Sequence, residues 1–456
     1  MIRALQEYAL GERFGQIRSV SVALGRGDEP GVLFIHSTTE NLDPWTEMMA
    51  FPTDTLKLSL FTESGRHLWT RDLGKGVIPG IWFAPVISFD LDGDGVDEIW
   101  HVGNDYPNLP FTVEHRHLER IDPRTNEVTG MWPWPINRVS YENMSYSYRL
   151  TLACGYAKGE PVLITAQGTY TDMYLQGYSR DMSQRWSVFV PKDAAGARAS
   201  HVFPVLDFNN DGIDELFWGE RVLSVHDGRE LFCCDRDNFR GHSDIIIPFV
   251  DPQTGKKYIY TCREDGEGPG IKRVVTFDER GDPVWGQVDA GHIHGGWIAN
   301  IGPNRRRIAM ARSLALNAKG YDQHRQPTID YFFDAVTGEP TTPKFPQPGG
   351  RARPIDVDGD GYHEFLTGME ETKVVDRHGK ELANLGNGRT VRTGKILELP
   401  AHQVMLSYDD QGIVRIWGDD AAVDGPTDQF AHYHRFMQHM MGSGYNHFGC
   451  VQSCGM

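Results

Sequence analysis

The hydrophobic and polar positions of this chain follow a repeating order. An apolar strand is followed by a tight acidic or glycine turn, a second apolar strand and two shorter strands. The clearest copy runs from Ala84 to His101 across the turn at residues 90–95. Further clear copies run from Phe203 to Trp218 and from Pro354 to Leu366. Degenerate copies turn through residues 25–27, 155–159, 251–255, 302–304 and 398–400.

These starts lie about 40 to 65 residues apart, which is the length of a four-stranded propeller blade. The pattern therefore predicts an all-β, single-domain β-propeller over residues 1–456. The blades are expected over about 17–425, with a C-terminal extension at 426–456. Each blade packs only on its neighbours, so one core can grow to this length. A β-solenoid is the structural alternative, but its repeats are usually shorter.

Composition narrows the choice of function and compartment. The 50 Gly and 26 Pro among 456 residues suit many tight turns, and six cysteines are too few for a disulfide framework. The net charge of −17 argues against nucleic acid as a partner but permits a locally basic site for an anionic sugar. The N-terminus lacks an apolar signal region and no stretch is long enough for a membrane span. We expect a cytoplasmic protein, unless a leader has been removed; the sequence leaves its oligomeric state open.

Three of the turns carry alternating acidic positions followed by a glutamate. Such a loop directs several hard oxygen ligands to one point, which suits Ca²⁺. No helix flanks these turns, so they differ from an EF-hand. The alternative is that the acids only solvate a turn, and the expected role of an ion is structural. The candidate ligands are Asp90, Asp92, Asp94 and Glu98; Asp207, Asn209, Asp211 and Glu215; and Asp356, Asp358, Asp360 and Glu364.

Histidines concentrate at two places in the repeats, the end of the second strand and the start of the first. In an up-and-down blade these two places point to the same face of the propeller, so the side chains should converge on one mouth of the central channel. His36 and His101 end second strands, and His201 precedes a first strand. Nitrogen and sulfur ligands from adjacent units suit Zn²⁺, and a hydrogen-bonded channel lining is the equal alternative. The zinc candidates are His242, Cys262, His292 and His294.

Tyrosine and arginine side chains should collect at the same mouth. Tyr and His can act as general acid and base, and Arg can bind a carboxylate through two hydrogen bonds. This combination favours an anionic sugar as the substrate. The candidate residues are Tyr146, Arg149, Arg198, His201, Arg240, Arg263 and Arg312.

Four segments, at residues 84–101, 200–207, 240–244 and 291–297, resemble the propeller superfamily of ulvan lyases and rhamnose–glucuronate lyases. A related family of glycoside hydrolases cleaves the rhamnose–glucuronate bond. The resemblance covers about residues 20–410. It implies a β-elimination, in which an Arg neutralises the uronate carboxylate and His or Tyr side chains move protons. Members of this superfamily favour seven blades, so seven and eight blades both remain open.

The resemblance also implies roles for individual residues. His101 matches the catalytic histidine of these lyases, Tyr146 matches the catalytic tyrosine, and the zinc candidates match a His/Cys-bound structural zinc. The lyases carry a second histidine about 20 residues before the first, where this chain has Pro79–Phe83. Either His36 replaces it, or Tyr146 performs both proton transfers, or the lyase site is degenerate.

Three functions follow as hypotheses. The first is a lyase that cleaves a uronate-containing oligosaccharide, with Arg149 or Arg198 on the carboxylate. The second is a glycoside hydrolase that releases rhamnose from glucuronate, and the third is a non-catalytic propeller that binds a glycan or a protein. The products separate the first two, because only elimination leaves a 4,5-unsaturated uronate.

Overall fold

The computed structural model describes residues 1–42, 51–110, 112–135, 148–264, 266, 270–314, 329–343, 352–368, 370–425 and 430. Within these ranges the chain forms 31 strands, numbered β1–β31 in chain order, and two short 3-10 turns at Pro303–Arg305 and Asp409–Gln411. These residues contain no α-helix, which confirms the all-β prediction. None of the helical segments in them has the length and apolar character of a membrane span.

The strands form eight separate antiparallel sheets, one for each blade of a propeller. Blade 1 comprises β2 (Gln16–Val22), β3 (Gly31–Ser37), β4 (Lys57–Thr62) and β5 (His67–Asp72). Blade 2 comprises β6 (Val86–Phe89), β7 (Glu98–Asn104), β8 (Arg116–Asp122) and β9 (Glu127–Pro133). Blade 3 comprises β10 (Leu150–Ala157), β11 (Glu160–Gln167), β12 (Met173–Tyr178) and β13 (Gln184–Val190). Blade 4 comprises β14 (Val205–Leu206), β15 (Glu215–Trp218), β16 (Arg221–Ser224) and β17 (Glu230–Cys233).

The second half of the ring repeats this arrangement. Blade 5 comprises β18 (Ser243–Val250), β19 (Lys257–Arg263), β20 (Val274–Asp278) and β21 (Pro283–Gln287). Blade 6 comprises β22 (His292–Asn300), β23 (Arg307–Leu314) and β24 (Ile329–Asp334) within the described residues. Blade 7 comprises β25 (Arg353–Ile355), β26 (Glu364–Thr367), β27 (Lys373–Val375) and β28 (Glu381–Asn384). Blade 8 comprises β29 (Arg389–Gly394), β30 (Gln403–Tyr408), β31 (Ile413–Asp419) and β1 (Ile2–Ala9).

The first strand of each blade lies at the centre of the ring, where it meets the first strands of neighbouring blades. β2, for example, lies against both β6 and β29. All eight turns predicted from the sequence connect the first and second strands of a blade. The propeller therefore has eight blades, and the alternative of seven is excluded.

Apolar side chains fill the spaces between blades. In β3, Leu33 and Ile35 pack toward blade 2, whereas Val32 and Phe34 pack toward blade 8. A strand that is buried on both faces needs apolar residues at successive positions, so its sequence loses the usual alternation of apolar and polar residues. This two-sided burial explains why the inner strands appear in the sequence as continuous apolar runs.

Paired hydrogen bonds join several neighbouring blades close to the centre. Asp97 donates its N–H to the Ala23 carbonyl (2.8 Å), and its carboxylate accepts the Ala23 N–H (2.9 Å). Asp214, His363 and His402 make the same pair of bonds with the preceding blade. Burial lowers the pKa of His363 well below its usual value, so the ring stays neutral and its Nδ1 can accept the bond. Each of these residues directly precedes the second strand of its blade.

The N-terminal strand closes the ring. β1 pairs with β31 from Ile2, opposite Asp419, to Ala9, opposite Ile413, so that both ends of the propeller chain lie in one sheet. Tyr8 is 1% exposed, and its ring lies edge-on to Phe34 of blade 1 at 5.1 Å. Its hydroxyl donates to the backbone carbonyl of residue 63 at 2.9 Å. Tyr8 thus joins blade 8 to blade 1.

We expect Tyr8→Ala to lower the free energy of unfolding by about 3 kcal/mol, because it removes a large buried ring from the closing strand. Tyr8→Phe loses only one hydrogen bond, at a cost of about 1 kcal/mol. Chemical denaturation measures both. Tyr106→Ala is the control, since Tyr106 is 49% exposed and its loss should change stability little. Equal stability of the Tyr8→Ala and Tyr106→Ala variants would contradict this role in closure.

Candidate active site and metal centre

The segments that precede the first strands of blades 2 to 6 meet at one end of the central channel, which we call the upper mouth. Backbone hydrogen bonds tie neighbouring segments together there. Leu150 donates its N–H to the Trp82 carbonyl at 2.8 Å, which joins blade 3 to blade 2. Arg198 donates to the Gly241 carbonyl at 2.7 Å, which joins blade 4 to blade 5. The side chains carried by these segments are therefore held close together, although they are far apart in sequence.

Asp244 lies at the centre of the polar side chains at this mouth. It is 2% exposed, and its Oδ2 lies 2.6 Å from Nδ1 of His294. Its Oδ1 lies 3.3 Å from Nε2 of His242 and 3.4 Å from Nδ1 of His201. One buried carboxylate thus faces imidazoles from blades 4, 5 and 6.

A second carboxylate, Glu264, extends this group. Its Oε1 lies 2.8 Å from Nε2 of His292, and its Oε2 lies 3.4 Å from Nε2 of His242. The rings of His292 and His294 stack with their centroids 3.7 Å apart. We call the whole group the histidine–carboxylate cluster; its members are His201, His242, Asp244, Glu264, His292 and His294.

The electrostatics of the cluster follow from burial and mutual proximity. Burial would raise the pKa of Asp244, but the surrounding His201, His294 and His242 hold it well below its usual range. Burial lowers the pKa of His201 well below its usual value; His242 and Arg149 act in the same direction, and Asp244 opposes them. Asp244 is therefore a buried anion, and His201 beside it favours the neutral form that can bind a metal.

The donor set fits a divalent cation. One nitrogen or oxygen from each of His201, His242, Asp244 and Glu264 lies within 4.8 Å of the others, and the same holds for Asp244, His292 and His294. Within the described part of the chain, neither oxygen of the buried Asp244 makes a hydrogen bond of regular geometry. A buried carboxylate without such bonds is costly unless a cation compensates it. Neutral imidazoles and carboxylates are ordinary ligands for divalent metals.

Beside the cluster, an arginine and a tyrosine form a hydrogen-bonded chain. Arg149 donates from Nη1 to the Tyr170 hydroxyl at 3.0 Å, and that hydroxyl lies 2.6 Å from Nε2 of His201. The Arg149 guanidinium lies over the Trp82 ring at 4.4 Å and over the Tyr170 ring at 4.6 Å. These contacts orient a cation and a phenol toward the same imidazole, which itself faces Asp244.

Sequence reasoning brought His201, His242, His292 and His294 to this mouth, and the structure places them together. It missed Asp244, Glu264 and Tyr170. The sequence held one signal for Asp244, because it lies only two positions after the predicted ligand His242. Glu264 and Tyr170 follow the ends of second strands, where only the position in the repeat could have indicated them.

The structure separates Cys262 from the other zinc candidates. Its sulfur lies in the apolar space between blades 5 and 6, 3.3 Å from the Tyr260 hydroxyl. A Cβ on Gly296 would lie only 2.6 Å from this sulfur, so the absence of a side chain there allows the close approach. Cys262 belongs to neither of the candidate ligand groups at the upper mouth.

The three side chains predicted to be catalytic lie elsewhere or outside the described residues. His36 is buried in blade 1 between Glu12 (2.7 Å) and Ser59 (2.9 Å). His101 shares a strand face with residues that pack toward blade 1, and its Nε2 lies 3.1 Å from Glu119. Tyr146 lies outside the described residues. The structure therefore does not bring His36 or His101 to the histidine–carboxylate cluster, and their catalytic roles stay predictions.

The predicted substrate-binding arginines have different surroundings. Arg149 stands beside the cluster, as described above. Arg198 is buried and donates to backbone carbonyls of its own loop, whereas Arg240 is exposed. Arg263 pairs with the buried carboxylate of Glu220, and Arg312 pairs through two bonds with an aspartate of the next strand. Of the five, Arg149 is the one that contacts Tyr170 and so adjoins the cluster, and the residue is itself 2% exposed.

The three acidic turns share one hydrogen-bonding scheme. The first aspartate of each turn accepts N–H groups of its own loop, and the glutamate accepts the N–H that follows this aspartate. Burial, with neighbouring acids, raises the pKa of each glutamate to about 8. Asp90, Asp92 and Asp94 form a candidate ligand group, as do Asp356, Asp358 and Asp360. The corresponding glutamates are Glu98, Glu215 and Glu364.

The fold and the upper mouth define a class of protein, an eight-bladed propeller with a buried histidine–carboxylate centre. Solved structures that share this fold include polysaccharide lyases. The crystal structure of the exotype rhamnogalacturonan lyase YesX superposes with a TM-score of 0.79 at 18% identity, covering 96% of this chain and 80% of that one. The Bacillus licheniformis rhamnogalacturonan lyase PL11 has a TM-score of 0.73 at 18% identity, covering 100% and 83%.

Curated proteins with sequences similar to this chain are also named rhamnogalacturonan lyases. The rhamnogalacturonan exolyase YesX of Bacillus subtilis (strain 168) is 25% identical over 350 residues, which is 69% of this chain and 54% of that protein. The endolyase YesW of the same organism is 25% identical over 284 residues, 55% of this chain and 44% of that protein. The chain thus spans about half the length of the curated relatives it matches. No protein-family model matches the sequence.

These similarities confirm the resemblance to propeller-fold polysaccharide lyases. The relatives above are rhamnogalacturonan lyases, so they support the class and leave the ulvan and rhamnose–glucuronate subgroup a prediction.

Proposed function

We propose that the protein is a polysaccharide lyase that cleaves a rhamnose- and uronate-containing chain by β-elimination at the upper mouth. The observation that carries this proposal is the convergence of the histidine–carboxylate cluster with Arg149 and Tyr170. The names of the curated relatives support a lyase over a hydrolase or a binding protein.

β-Elimination makes three demands on a site. The carboxylate of the uronate must be neutralised, so that the C5 proton becomes acidic. A base must remove this proton while the C4–O bond breaks and the C4–C5 double bond forms. A proton must then reach the departing glycosidic oxygen. The products are a 4,5-unsaturated uronate and a sugar with a free hydroxyl.

The side chains of the upper mouth correspond to these demands. The histidine–carboxylate cluster would hold a divalent cation, which would supply positive charge for the uronate carboxylate. Arg149 adds a fixed guanidinium beside it, oriented by the Trp82 ring. The cluster offers both hard carboxylates, which suit Ca²⁺, and imidazoles, which suit Zn²⁺.

Tyr170 is the side chain best placed to transfer a proton. Its hydroxyl lies 2.6 Å from Nε2 of His201, and Nδ1 of that ring faces Asp244 at 3.4 Å. A phenol that is hydrogen-bonded to an imidazole can exchange a proton with it. Tyr170 is partly exposed, so its hydroxyl can also meet a sugar. We propose Tyr170 for this role; His101 and Tyr146 stay predictions from the sequence resemblance.

We expect the wild-type protein to produce the ultraviolet absorbance of an unsaturated uronate from rhamnogalacturonan or from rhamnose–glucuronate oligosaccharides. Asp244→Asn should lower the rate at least 100-fold, because it removes the central anionic ligand. Asp227→Asn is the control, since Asp227 lies in an exposed turn of blade 4. Comparison of the two substrates identifies the uronate. Free rhamnose without absorbance would contradict the lyase and indicate a hydrolase.

We expect Tyr170→Phe to lower kcat at least 100-fold while the affinity for metal stays within about threefold, because only the hydroxyl is lost. Tyr174→Phe is the matched control, since Tyr174 is a half-buried tyrosine of the same blade whose ring centroid lies 4.5 Å from that of Phe189. Steady-state kinetics and calorimetry provide the two readouts. A Tyr170→Phe variant with the kcat of the control would exclude this hydroxyl from proton transfer.

We propose further that the three acidic turns bind Ca²⁺ with a structural role. Each turn already orders its backbone through its first aspartate, so a cation would meet a preformed group of oxygens. The raised pKa values of the three glutamates also support Ca²⁺ binding. Burial disfavours their ionised carboxylates, and a nearby cation would favour them.

We expect the metal-free protein to lose stability as pH rises from about 5 to about 8. Glu98, Glu215 and Glu364 keep their protons in the folded state over this range but ionise in the unfolded chain near pH 4.5. Added Ca²⁺ should therefore raise the melting temperature more at pH 8 than at pH 6, as measured by calorimetry. At 100 times its Kd, one bound ion adds about 2.7 kcal/mol.

The Glu364→Gln variant should lose part of this pH dependence and part of the Ca²⁺ effect. Gln184→Glu is a control that adds an exposed carboxyl on an outer strand. A melting temperature that is independent of Ca²⁺ at both pH values would contradict the proposal.

A further inference from the structure

Behind the histidine–carboxylate cluster lies a buried ion pair that the proposed reaction does not use. Arg263 and Glu220 are 1% and 0% exposed. Arg263 donates from Nη2 to Oε2 of Glu220 at 2.6 Å and from Nε to Oε1 at 2.8 Å. The Ser243 hydroxyl donates to the same Oε1 at 2.9 Å. Glu220 lies in a turn of blade 4 and thus binds two side chains of blade 5.

The residues held by Glu220 are direct neighbours of the candidate metal ligands. Ser243 stands between His242 and Asp244, and Arg263 directly precedes Glu264. Ser243 and Arg263 are paired across β18 and β19. Ser243 and Arg263 face Glu220, whereas their neighbours Asp244 and Glu264 face His242 at the upper mouth.

The turn that carries Glu220 also reaches the segment before His201. A Cβ on Gly219 would lie 2.5 Å from the Arg198 carbonyl oxygen, and the positive φ of Gly219 (+68°) likewise favours glycine. The turn is therefore packed closely against the backbone that leads to His201. The carbonyl of Ala199 in this segment accepts a hydrogen bond from Nδ1 of His242. The turn thus adjoins segments that carry four cluster members.

We propose that the Glu220–Arg263 pair and Ser243 are positioning residues for the metal centre. An arginine–carboxylate pair with two parallel bonds fixes angles as well as distance, which a pair of apolar side chains would not do. Phe239 lies against the Arg263 guanidinium at 3.7 Å, and Asp235 accepts a further bond from it at 3.1 Å. Arg263 is therefore held by contacts on several sides. Because Glu264 is the next residue, these contacts also hold its backbone.

A structural role alone would be the other explanation, since a buried ion pair between blades 4 and 5 also bears on stability. The two explanations differ in a measurable way. A positioning role predicts a loss of metal affinity greater than the loss of stability accounts for. A structural role predicts a loss of stability with unchanged affinity of the folded protein. This inference rests on the proposal that the cluster holds a divalent cation.

The test uses Ser243→Ala, which removes one hydroxyl and leaves the ion pair in place. Zn²⁺ and Ca²⁺ are titrated separately into the metal-stripped protein of residues 1–456 by calorimetry, and Asp244→Asn identifies the part of the signal that belongs to the cluster. We expect binding at the cluster to weaken 10- to 100-fold. Ser407→Ala is the matched control, because Ser407 is a buried serine of blade 8 whose hydroxyl donates to Asp409 at 2.6 Å.

Arg263→Lys is the second variant, because it keeps the positive charge and loses the two parallel bonds. It should weaken metal binding as Ser243→Ala does, and its melting temperature shows whether it is folded. If both variants bind metal as tightly as the wild type, the positioning role is overturned. If the wild type and Asp244→Asn bind metal equally, this inference and the proposed metal centre fail together. Metal binding that responds to Ser243→Ala, in a protein without lyase activity, overturns only the proposed reaction.

Discussion

The structure depends on the packing of blade against blade. Every inner strand is buried on both faces, so no blade can satisfy its apolar surface alone, and the ring is complete only when blade 8 meets blade 1. Tyr8 performs this last step from the N-terminal strand, where its ring packs on Phe34. The paired hydrogen bonds of Asp97, Asp214, His363 and His402 join other neighbouring blades near the centre. Because the blades are arranged in a ring, the starts of their first strands lie side by side.

This arrangement gives the two ends of the channel different chemistry. The upper mouth collects the segments before the first strands, and with them the buried Asp244, which is surrounded by imidazoles. The acidic turns join the other ends of the first strands to the second strands, so they lie at the opposite end. Their backbone groups are bonded within each loop, which suits a structural role. The upper mouth instead has the Asp244 carboxylate, which lacks regular hydrogen bonds among the described residues, near the Arg149 guanidinium and the Tyr170 phenol. This combination suits the proposed elimination reaction.

Charge burial also explains why the centre extends over several blades. An isolated anion in the position of Asp244 would be strongly destabilising, and no single blade supplies enough partners. Imidazoles from blades 4, 5 and 6 surround Asp244. Glu264 lies between His242 of blade 5 and His292 of blade 6. The Glu220–Arg263 pair, which lies behind the cluster, also compensates a buried charge across blades. Its carboxylate comes from blade 4 and its guanidinium from blade 5. A centre built in this way depends on the relative placement of blades.

The local pattern of the sequence determined the eight repeats, the turns within them and the gathering of histidines at one mouth, because strand length, turn chemistry and blade polarity are local properties. It could not determine that residues 2–9 complete the last blade, since a pairing between Tyr8 and Val414 leaves no local trace. Nor could it decide which side of a strand a residue occupies once both sides are buried. Cys262 was therefore predicted at the mouth whereas its side chain lies between blades, and Asp244 was not predicted although it lies at the centre of the histidine–carboxylate cluster. Only the tertiary structure decides such placements, because they depend on the register of strands and on which blade lies opposite.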